Sequence, residues 1–190
     1  MSRIIVSTFV SLDGVMESPE SWSLQYQDQE NAQDALALLL GCEALLLGRR
    51  TYDGFAEAWP GRQDPMGFAD KLNRMPKFVA STTLTEPSWA NTTLLTREVA
   101  GQVRELKARL SGDLLIYGSG VLTRHLMQQG LIDEYRLLLC PVVVGEGERL
   151  FQGPEQQVEL MLSDVTRYPG GMARLTLLAA ASGVGAPRPS

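Results

Sequence analysis

The sequence predicts one α/β domain in which a mixed, mostly parallel sheet of about eight strands carries helices on both faces. Its first two-thirds alternate short apolar runs with segments whose apolar residues repeat at helical spacing, which is typical of a parallel sheet covered by helices. The last third has alternating runs around a Pro-Gly turn, which indicates antiparallel strands at the C-terminal end. We expect this domain to span residues 1–181 and residues 182–190 to form a disordered tail.

The N-terminal half is expected to begin with a strand over residues 3–11, which alternates and is rich in β-branched residues. Asp28 can cap a helix that runs to about Leu40, because apolar residues repeat at helical spacing from Ala32 onward. The apolar run 44–47 predicts a buried parallel strand. The other elements of this half are a short helix after Gly48, a helix that begins at Asp64-Pro65 and ends before Pro76, and a strand over 77–81.

The C-terminal half is expected to contain two further strand–helix pairs and then antiparallel strands. Apolar residues at 99, 103, 106 and 110 predict an amphipathic helix, and Gly130 closes a second helix over 120–129. A long apolar strand over 135–144 is interrupted by Pro141, which indicates a bulge or an edge position. Short strands are also expected over 92–95, 114–117, 158–162 and 174–180.

The composition argues against several classes of function. The formal charge is −5 and no run of Lys and Arg occurs, so nucleic acid is not expected as a partner. No stretch approaches the ~20 apolar residues of a membrane span, and the first residues do not form a signal peptide. Cys42 and Cys140 are expected to be buried free thiols, which fits a reducing cytoplasmic setting. The sequence contains neither a metal-binding Cys/His cluster nor a Ser/His/Asp arrangement for nucleophilic hydrolysis.

Two glycine-bearing segments each follow an apolar strand and open a predicted helix. The first contains Gly48, Arg49, Arg50 and Thr51, and the second contains Gly118-Ser119-Gly120. A helix that starts in this way leaves backbone N–H groups unpaired, and these groups attract phosphate together with the helix dipole. Either segment alone is equally typical of an ordinary strand-to-helix turn, but the pair favours a site for both ends of a dinucleotide.

A run of hydroxyl residues, Ser81-Thr82-Thr83, follows a third strand and offers donors where an adenosine phosphate would lie. A simple turn is the alternative explanation for this run. No acidic residue follows Val79 at the position that would hold a ribose 2′-hydroxyl. Because Arg49 and Arg50 add positive charge near the first glycine segment, the sequence favours NADPH over NADH as the cofactor.

The candidates for substrate contact lie near the N-terminus. Asp13 and Asp28 are the candidate catalytic residues, for substrate contact or proton delivery, although Asp13 also suits a turn and Asp28 a helix cap. Trp22 and Tyr26 lie in a loop over 16–26 that could close over a flat ring and exclude water, or they could pack the loop down. His125, the only histidine, is expected to be a surface or packing residue.

The order of these motifs resembles the dihydrofolate reductase superfamily, and within it the C-terminal reductase domain of riboflavin-biosynthesis proteins and its stand-alone bacterial relatives. The similarity covers about residues 3–180 and rests on five segments. The first four are Ser-Leu-Asp-Gly-Val at 11–15, Leu-Leu-Gly-Arg-Arg-Thr-Tyr at 46–52, Lys-Phe-Val-Ala-Ser at 77–81 and Leu-Ile-Tyr-Gly-Ser-Gly at 115–120. The fifth is Leu-Ile-Asp-Glu-Tyr-Arg at 131–136, which leads into Pro-Val-Val-Val-Gly-Glu-Gly at 141–147.

This resemblance implies a mixed-sheet reductase fold, NADPH as the hydride donor, and a homodimer. It also implies that cofactor-binding residues occur after three strands, namely Gly48, Arg49, Arg50, Thr51, Ser81, Thr82, Gly118, Ser119, Gly120, Val121 and Leu122. Two features depart from the relatives. The region 22–28 lacks the Leu-Pro pair found before the acidic residue of dihydrofolate reductases, and no zinc deaminase motif accompanies the reductase segment.

These observations predict an NADPH-dependent reductase that transfers a hydride to a C=N or C=O carbon of a small molecule. The substrate class implied by the resemblance is a small heterocyclic or ribosylamino-pyrimidine compound, as for a 5-amino-6-(5-phosphoribosylamino)uracil reductase. A dihydrofolate or pteridine reductase is one alternative. A protein that binds NADPH without catalysis is another, because one fold can host several functions.

Overall fold

The computed structural model describes residues 2–153 and 157–180, so the tail predicted at 182–190 lies outside the described residues. The strands are β1 (Ile4–Ser11), β2 (Cys42–Gly48), β3 (Lys77–Ala80), β4 (Thr92–Leu95), β5 (Asp113–Tyr117), β6 (Glu134–Cys140), β7 (Leu160–Arg167) and β8 (Ala173–Ala179). The α-helices are α1 (Gln29–Gly41), α2 (Arg49–Ala58), α3 (Phe68–Arg74), α4 (Val99–Arg109) and α5 (Gly120–Gln128).

The eight strands form one sheet in the order β4-β3-β2-β5-β1-β6-β8-β7. The first six strands in this spatial order, from β4 at the edge to β6, are parallel to one another. Strand β8 runs antiparallel to β6, and β7 runs antiparallel to β8. The predicted fold class is therefore confirmed, including the antiparallel strands at the C-terminal end.

Helices cover both faces of the sheet because successive strand residues point to opposite sides. On one face, Ile4, Val6 and Leu46 pack with Val103 of α4 and Leu126 of α5. The opposite face carries a second core of buried residues, among them Ile5, Leu45, Leu47 and Leu115 of the strands with Leu39 of α1 and Leu72 of α3. Cys42 and Cys140 are free and buried, as the sequence predicts.

The observed helix α3 begins at Phe68, three residues beyond the predicted Asp64-Pro65 start. Gly67 adopts a left-handed conformation (φ 78°) immediately before the helix, which a side chain would disfavour. The Asp64 carboxylate still accepts hydrogen bonds from the N–H groups of Phe68 (3.1 Å) and Ala69 (2.6 Å). Asp64 thus caps the helix from a greater sequence distance than expected.

Strand β6 is shorter than predicted and ends at Cys140, directly before Pro141. Proline has no N–H to donate to a neighbouring strand, so the ladder stops there. The chain then leaves the sheet, and the N–H of Leu12 bonds to the carbonyl oxygen of Val142 (2.8 Å).

A fully buried lysine, Lys77, joins the elements around β3, and the sequence gives no signal for it. Its Nζ donates to the carbonyl oxygens of Asn73, Met75 and Ala90 at 2.9–3.1 Å. The ammonium also lies 4.3 Å from the centroid of the Trp89 ring. Burial lowers the pKa of Lys77 to about 8.

The buried Tyr52 and the half-buried Tyr117, whose hydroxyl is itself buried, provide a matched test of hydrogen bonding beside the second face. The Tyr52 hydroxyl oxygen accepts a hydrogen bond from the backbone N–H of Trp89 (3.0 Å). The Tyr117 hydroxyl, in contrast, is buried without a partner among the described residues. We expect Tyr52→Phe to lower the free energy of unfolding by about 1 kcal/mol and Tyr117→Phe to raise it by a similar amount. Urea unfolding of both variants measures this difference, and a loss of stability in Tyr117→Phe would contradict the assignment of its hydroxyl.

Candidate functional site

A large cleft of about 1410 Å³ opens where β1, β2, β3 and β5 end. Ligands of open parallel sheets bind in this position, outside the carboxyl ends of the strands. All of the residues that the sequence predicts for the cofactor line this one cleft, namely Gly48, Arg49, Arg50, Thr51, Ser81, Thr82, Gly118, Ser119, Gly120, Val121 and Leu122.

The two glycine segments are joined through Ser119. Its hydroxyl oxygen accepts the N–H of Gly48 (3.0 Å) and its hydroxyl donates to the carbonyl oxygen of Tyr117 (2.9 Å). Its own N–H donates to the Thr51 hydroxyl oxygen (3.1 Å). The side chains of Thr51 and Ser119 therefore hold the loops together, and the fixed loops present their backbone to the cleft.

The backbone at the second glycine segment adopts an unusual conformation. Gly118 and Ser119 both have left-handed φ values, 53° and 52°, immediately before α5. This conformation turns the chain sharply from β5 into α5, so the first N–H groups of the helix have no intrahelical acceptor. A Cβ on Gly120 would come within 2.9 Å of Glu148 Oε1 and Met16 Sδ, so the ends of these two side chains would have to move to admit one. Helix α2 begins directly after Gly48, whose backbone is extended instead, and its first N–H groups likewise lack intrahelical acceptors.

Arg49 lies beside the hydroxyl residues that follow β3. Its guanidinium forms an ion pair with Asp53 one turn along α2 (2.7 Å) and donates to the Thr83 hydroxyl oxygen (3.3 Å). The Ser81 hydroxyl oxygen accepts the N–H groups of Thr83 (3.2 Å) and Leu84 (3.0 Å). The structure therefore brings the positive charge of the first glycine segment next to the Ser81-Thr82-Thr83 run.

Arg50 faces a different environment. Its guanidinium lies 3.6 Å from Glu17 and 3.4 Å from Glu148. Glu148 also binds Arg124 of α5 (2.5 Å), and its backbone N–H donates to Glu17 (2.9 Å). These two carboxylates at the cleft were not identified from the sequence, because they are far from Arg50 along the chain and no local pattern marks them.

Asp13 does not line the cleft, and its carboxylate is used in the structure of the neighbouring loop. It accepts the Ser11 hydroxyl (2.6 Å) and the N–H groups of Val144 (3.0 Å) and Gly145 (2.8 Å). These hydrogen bonds to the charged form hold the pKa of Asp13 well below its usual range. The Asp13 carboxylate is thus bonded to the loop and not directed to the cleft lining.

Asp28 also lies outside the lining of the cleft and caps α1, the alternative role that its sequence position suggests. Its carboxylate accepts the N–H of Asn31 (2.9 Å) and that of Gly170 (2.5 Å) in the turn between β7 and β8. The Asn31 contact is the main cause of the lowered pKa of Asp28. The residue thus connects the start of α1 to the antiparallel part of the sheet.

Trp22 and Tyr26 pack the loop down instead of facing the cleft. Trp22 is 8% exposed, packs with Cys140, Tyr168 and Met172, and donates its indole N–H to the Glu17 carbonyl oxygen (3.0 Å). Tyr26 is half-buried against the same cluster. The parts of this segment that line the cleft are residues 16–20 and Gln27, and two short 3₁₀ helices, Pro19–Ser21 and Leu24–Tyr26, shape it.

An aromatic wall forms another side of the cleft and was also missed in the sequence. It consists of Phe55, Trp59, Phe68 and Tyr117, whose neighbouring ring centroids lie 5.3–6.5 Å apart. The Arg62 guanidinium stacks over Trp59 at 4.8 Å. The signal for this wall is weak because its members come from α2 and the residue after it, from α3 and from β5, and they meet only in the folded chain. His125 is exposed and lies at the same cleft.

Within residues 2–153 and 157–180, no group of three or more His, Cys, Asp or Glu side chains is arranged to hold a metal ion. None of the helices in these ranges is long and apolar enough to cross a membrane.

Known proteins share both the sequence pattern and the fold. The family model of the RibD C-terminal domain matches residues 2–173. The uncharacterized protein YyaP of Bacillus subtilis strain 168 is 26% identical over 179 residues, which cover 91% of this chain and 93% of YyaP.

Two solved structures illustrate the shared fold. A Shewanella sp. PV-4 protein assigned to riboflavin biosynthesis has a TM-score of 0.78 at 22% identity, over 94% of this chain and 99% of that one. Dihydrofolate reductase from Enterococcus faecalis, solved with NADP(H), has a TM-score of 0.61 at 13% identity, over 94% and 97% of the chains. The family match, which spans most of the chain, confirms the resemblance seen in the sequence: this protein belongs to the RibD C-terminal domain family.

Proposed function

We propose that this protein is an NADPH-dependent reductase that transfers a hydride to a C=N or C=O carbon of a small heterocyclic substrate. The observation that carries the proposal is the cleft in which Ser119 joins two strand–glycine–helix turns. Two helix starts that face one cleft suit the two phosphates of a dinucleotide. The RibD C-terminal domain family supports a reductase of the dihydrofolate reductase type.

The residues of the cleft fit this cofactor. Backbone N–H groups at the starts of α2 and α5 would hold the pyrophosphate, because the first N–H groups of a helix have no intrahelical acceptor. Arg49, with Ser81 and Thr82, would hold a phosphate on the adenosine ribose. Val121 and Leu122 would contact the cofactor beside the glycine turn. NADPH supplies the hydride, and the protein contributes position and electrostatics.

Asp13 and Asp28 are assigned positioning roles in this proposal. Asp13 holds the loop after Pro141 against the end of β1, and Asp28 holds the start of α1. Both carboxylates accept backbone N–H groups, which favours their charged form. Trp22 and Tyr26 likewise fix the segment that places residues 16–20 at the cleft, where this segment would exclude water from a bound substrate.

The substrate class follows from the family. A ribosylamino-pyrimidine of the riboflavin route is the substrate that we propose, and the aromatic wall of Phe55, Trp59, Phe68 and Tyr117 suits a flat ring. A Corynebacterium diphtheriae protein with the same fold is described as pyrimidine reductase-like, with a TM-score of 0.66 at 15% identity. We expect the reaction to take place in the cytoplasm.

We also propose that the chain forms a homodimer through the outer strands β7 and β8. Leu162 and Val165 of β7 are 56% and 50% exposed and share a sheet face with the partly buried Leu175 and Leu177 of β8. Contiguous exposed apolar residues of this kind mark interaction surfaces. A second copy of the chain would cover this face.

The cofactor assignment predicts a specific effect of Arg49. We expect Arg49→Ala to raise the Kd for NADPH by about 10-fold to 100-fold and to leave that for NADH nearly unchanged, because a charge-assisted hydrogen bond to the extra phosphate contributes about 1.5–3 kcal/mol. Titration followed by nicotinamide fluorescence measures both constants. Arg62→Ala is the matched control, since this arginine lines the cleft but stacks on Trp59. Equal losses for NADPH and NADH, or no NADPH binding by the wild type, would contradict the proposal.

The dimer assignment predicts the effect of a charge on β7. Leu162→Glu is expected to convert a dimer into a monomer, because burying an unpaired carboxylate at an interface is costly. Light scattering coupled to size-exclusion chromatography measures the mass of each species. Leu40→Glu, at a 57% exposed apolar position on α1, is the control and should leave the mass unchanged. A wild-type chain that is monomeric at high concentration would refute this assignment.

A further inference from the structure

A second cavity, of about 200 Å³, lies at the end of the sheet opposite to the main cleft. Its lining includes Cys42 and Asp113, which are the first residues of β2 and β5. Tyr117, the last residue of β5, lines the main cleft instead. At a rise of about 3.3 Å per residue, roughly 13 Å of strand separates the two places. The second cavity is therefore distinct from the glycine turns and the aromatic wall.

Two arginines line this cavity, and their hydrogen bonds differ. Arg3 uses Nε and Nη2 to bind Asp113 (3.1 and 2.6 Å) and Nη1 to bind Glu134 (3.0 Å). Arg136 donates only its Nε, to Glu134 (2.6 Å), and no acceptor in residues 2–153 and 157–180 binds its Nη1 or Nη2. The Arg136 side chain is only 27% exposed. Its two terminal nitrogens are thus available as donors in a mostly buried position.

The charged groups around the cavity leave one positive charge in excess. Arg3 and Arg136 are joined by Lys71, whose Nζ donates to a backbone carbonyl oxygen of the lining (3.0 Å). Asp113 and Glu134 supply the two negative charges that these cations contact. The balance favours a ligand with a single negative charge, because such a ligand neutralises the cluster.

Other titratable groups nearby do not change this balance. Burial raises the pKa of the Cys42 thiol to about 11, so the thiol stays neutral at pH 7. Asp133 also acts on Arg3, but Asp133 is neutralised by its own ion pair with Lys107 (2.5 Å).

The remaining lining of the cavity is apolar and small. Ile5 of β1 and Leu38 of α1 are buried beside it, and Ala37 lies at its rim. Because a water molecule takes up about 30 Å³ of liquid, the cavity has room for about six or seven groups of this size. A ligand that fills it is therefore a short molecule with an apolar part.

We propose that this cavity binds a small monocarboxylate with a short apolar tail. The Nη1 and Nη2 groups of Arg136 hold the two carboxylate oxygens, since the planar guanidinium matches the geometry of a carboxylate. The tail contacts Ile5 and Leu38. A phosphate ion carries no apolar part and would leave these two side chains without a contact. The site is independent of the proposed cofactor and substrate.

Butyrate, with one carboxylate and a three-carbon tail, is the probe for this site. Amide NMR of the ¹⁵N-labelled full chain at constant ionic strength follows its titration, with 1-butanol and inorganic phosphate in parallel. We expect saturable shifts at the N–H groups of Ile5, Leu38 and Cys42 with a Kd of about 1 mM. Binding of 1-butanol and of phosphate at these groups should be at least about 10-fold weaker. Saturating NADPH should leave the Kd for butyrate unchanged, because the main cleft is at the other end of the strands.

Two variants address the site in different ways. Arg136→Gln should weaken butyrate binding by about 10-fold or more, because it removes the charged donors. Arg167→Gln removes the same charge from the exposed end of β7 and is the matched control, with an unchanged Kd. Ala37→Phe places a ring at the rim, leaves every charge in its place, and should also weaken binding by about 10-fold or more. Thermal unfolding of each variant reports whether the fold is intact.

Several results would overturn the proposal. They are the absence of saturable butyrate shifts in the wild type, equal binding of 1-butanol or phosphate at the same N–H groups, and loss of butyrate binding in the presence of NADPH. An Arg136→Gln variant that is folded and binds butyrate as tightly as the wild type would also overturn it. If Arg136→Gln does not fold, the result for Ala37→Phe decides.

Discussion

The hydrogen bonds of Ser119 join two turns that are about seventy residues apart in the chain, and the cleft depends on this connection. Its hydroxyl oxygen accepts the Gly48 N–H and its own N–H donates to Thr51, so the starts of α2 and α5 are fixed relative to each other. Gly118 and Ser119 both have a left-handed backbone at this connection. A non-glycine residue in this conformation is strained, and such strain persists only where surrounding interactions compensate for it.

The two carboxylates that the sequence marks as candidate acids do not line the cleft. Asp13 and Asp28, which look like candidate acids in the sequence, are bound by backbone N–H groups and hold loops in place. A cleft of this kind would suit the positioning of the cofactor and flat substrate that we propose, as hydride transfer requires. Glu17 and Glu148 pair with Arg50, so the two arginines of the first turn have separate environments.

Much of the fold could be predicted from the sequence because local patterns of apolar residues and glycine indicate most of its strands, helices and turns. Apolar runs give the parallel strands, helical spacing gives α1 and α4, and a strand that ends in Gly48 or Gly118 marks a turn at the cleft. Contacts between distant residues could not be predicted in this way. Three features arise only when separate elements meet in the folded chain. They are the ion pair between Arg50 and Glu148, the buried Lys77 and the aromatic wall. The packing of Trp22 against Cys140 could not be predicted either, because a tryptophan in this loop could equally face the cleft or pack the loop down.

The central claim is that the two joined turns bind a dinucleotide, and amide NMR of the ¹⁵N-labelled protein tests it most directly. During titration with NADPH, the largest shifts should occur at the N–H groups of residues 48–51 and 118–122, with a smaller set at Ser81 and Thr82. Shifts of this pattern would place the cofactor on both helix starts at once. Shifts confined to other parts of the chain, or none at saturating NADPH, would contradict the account.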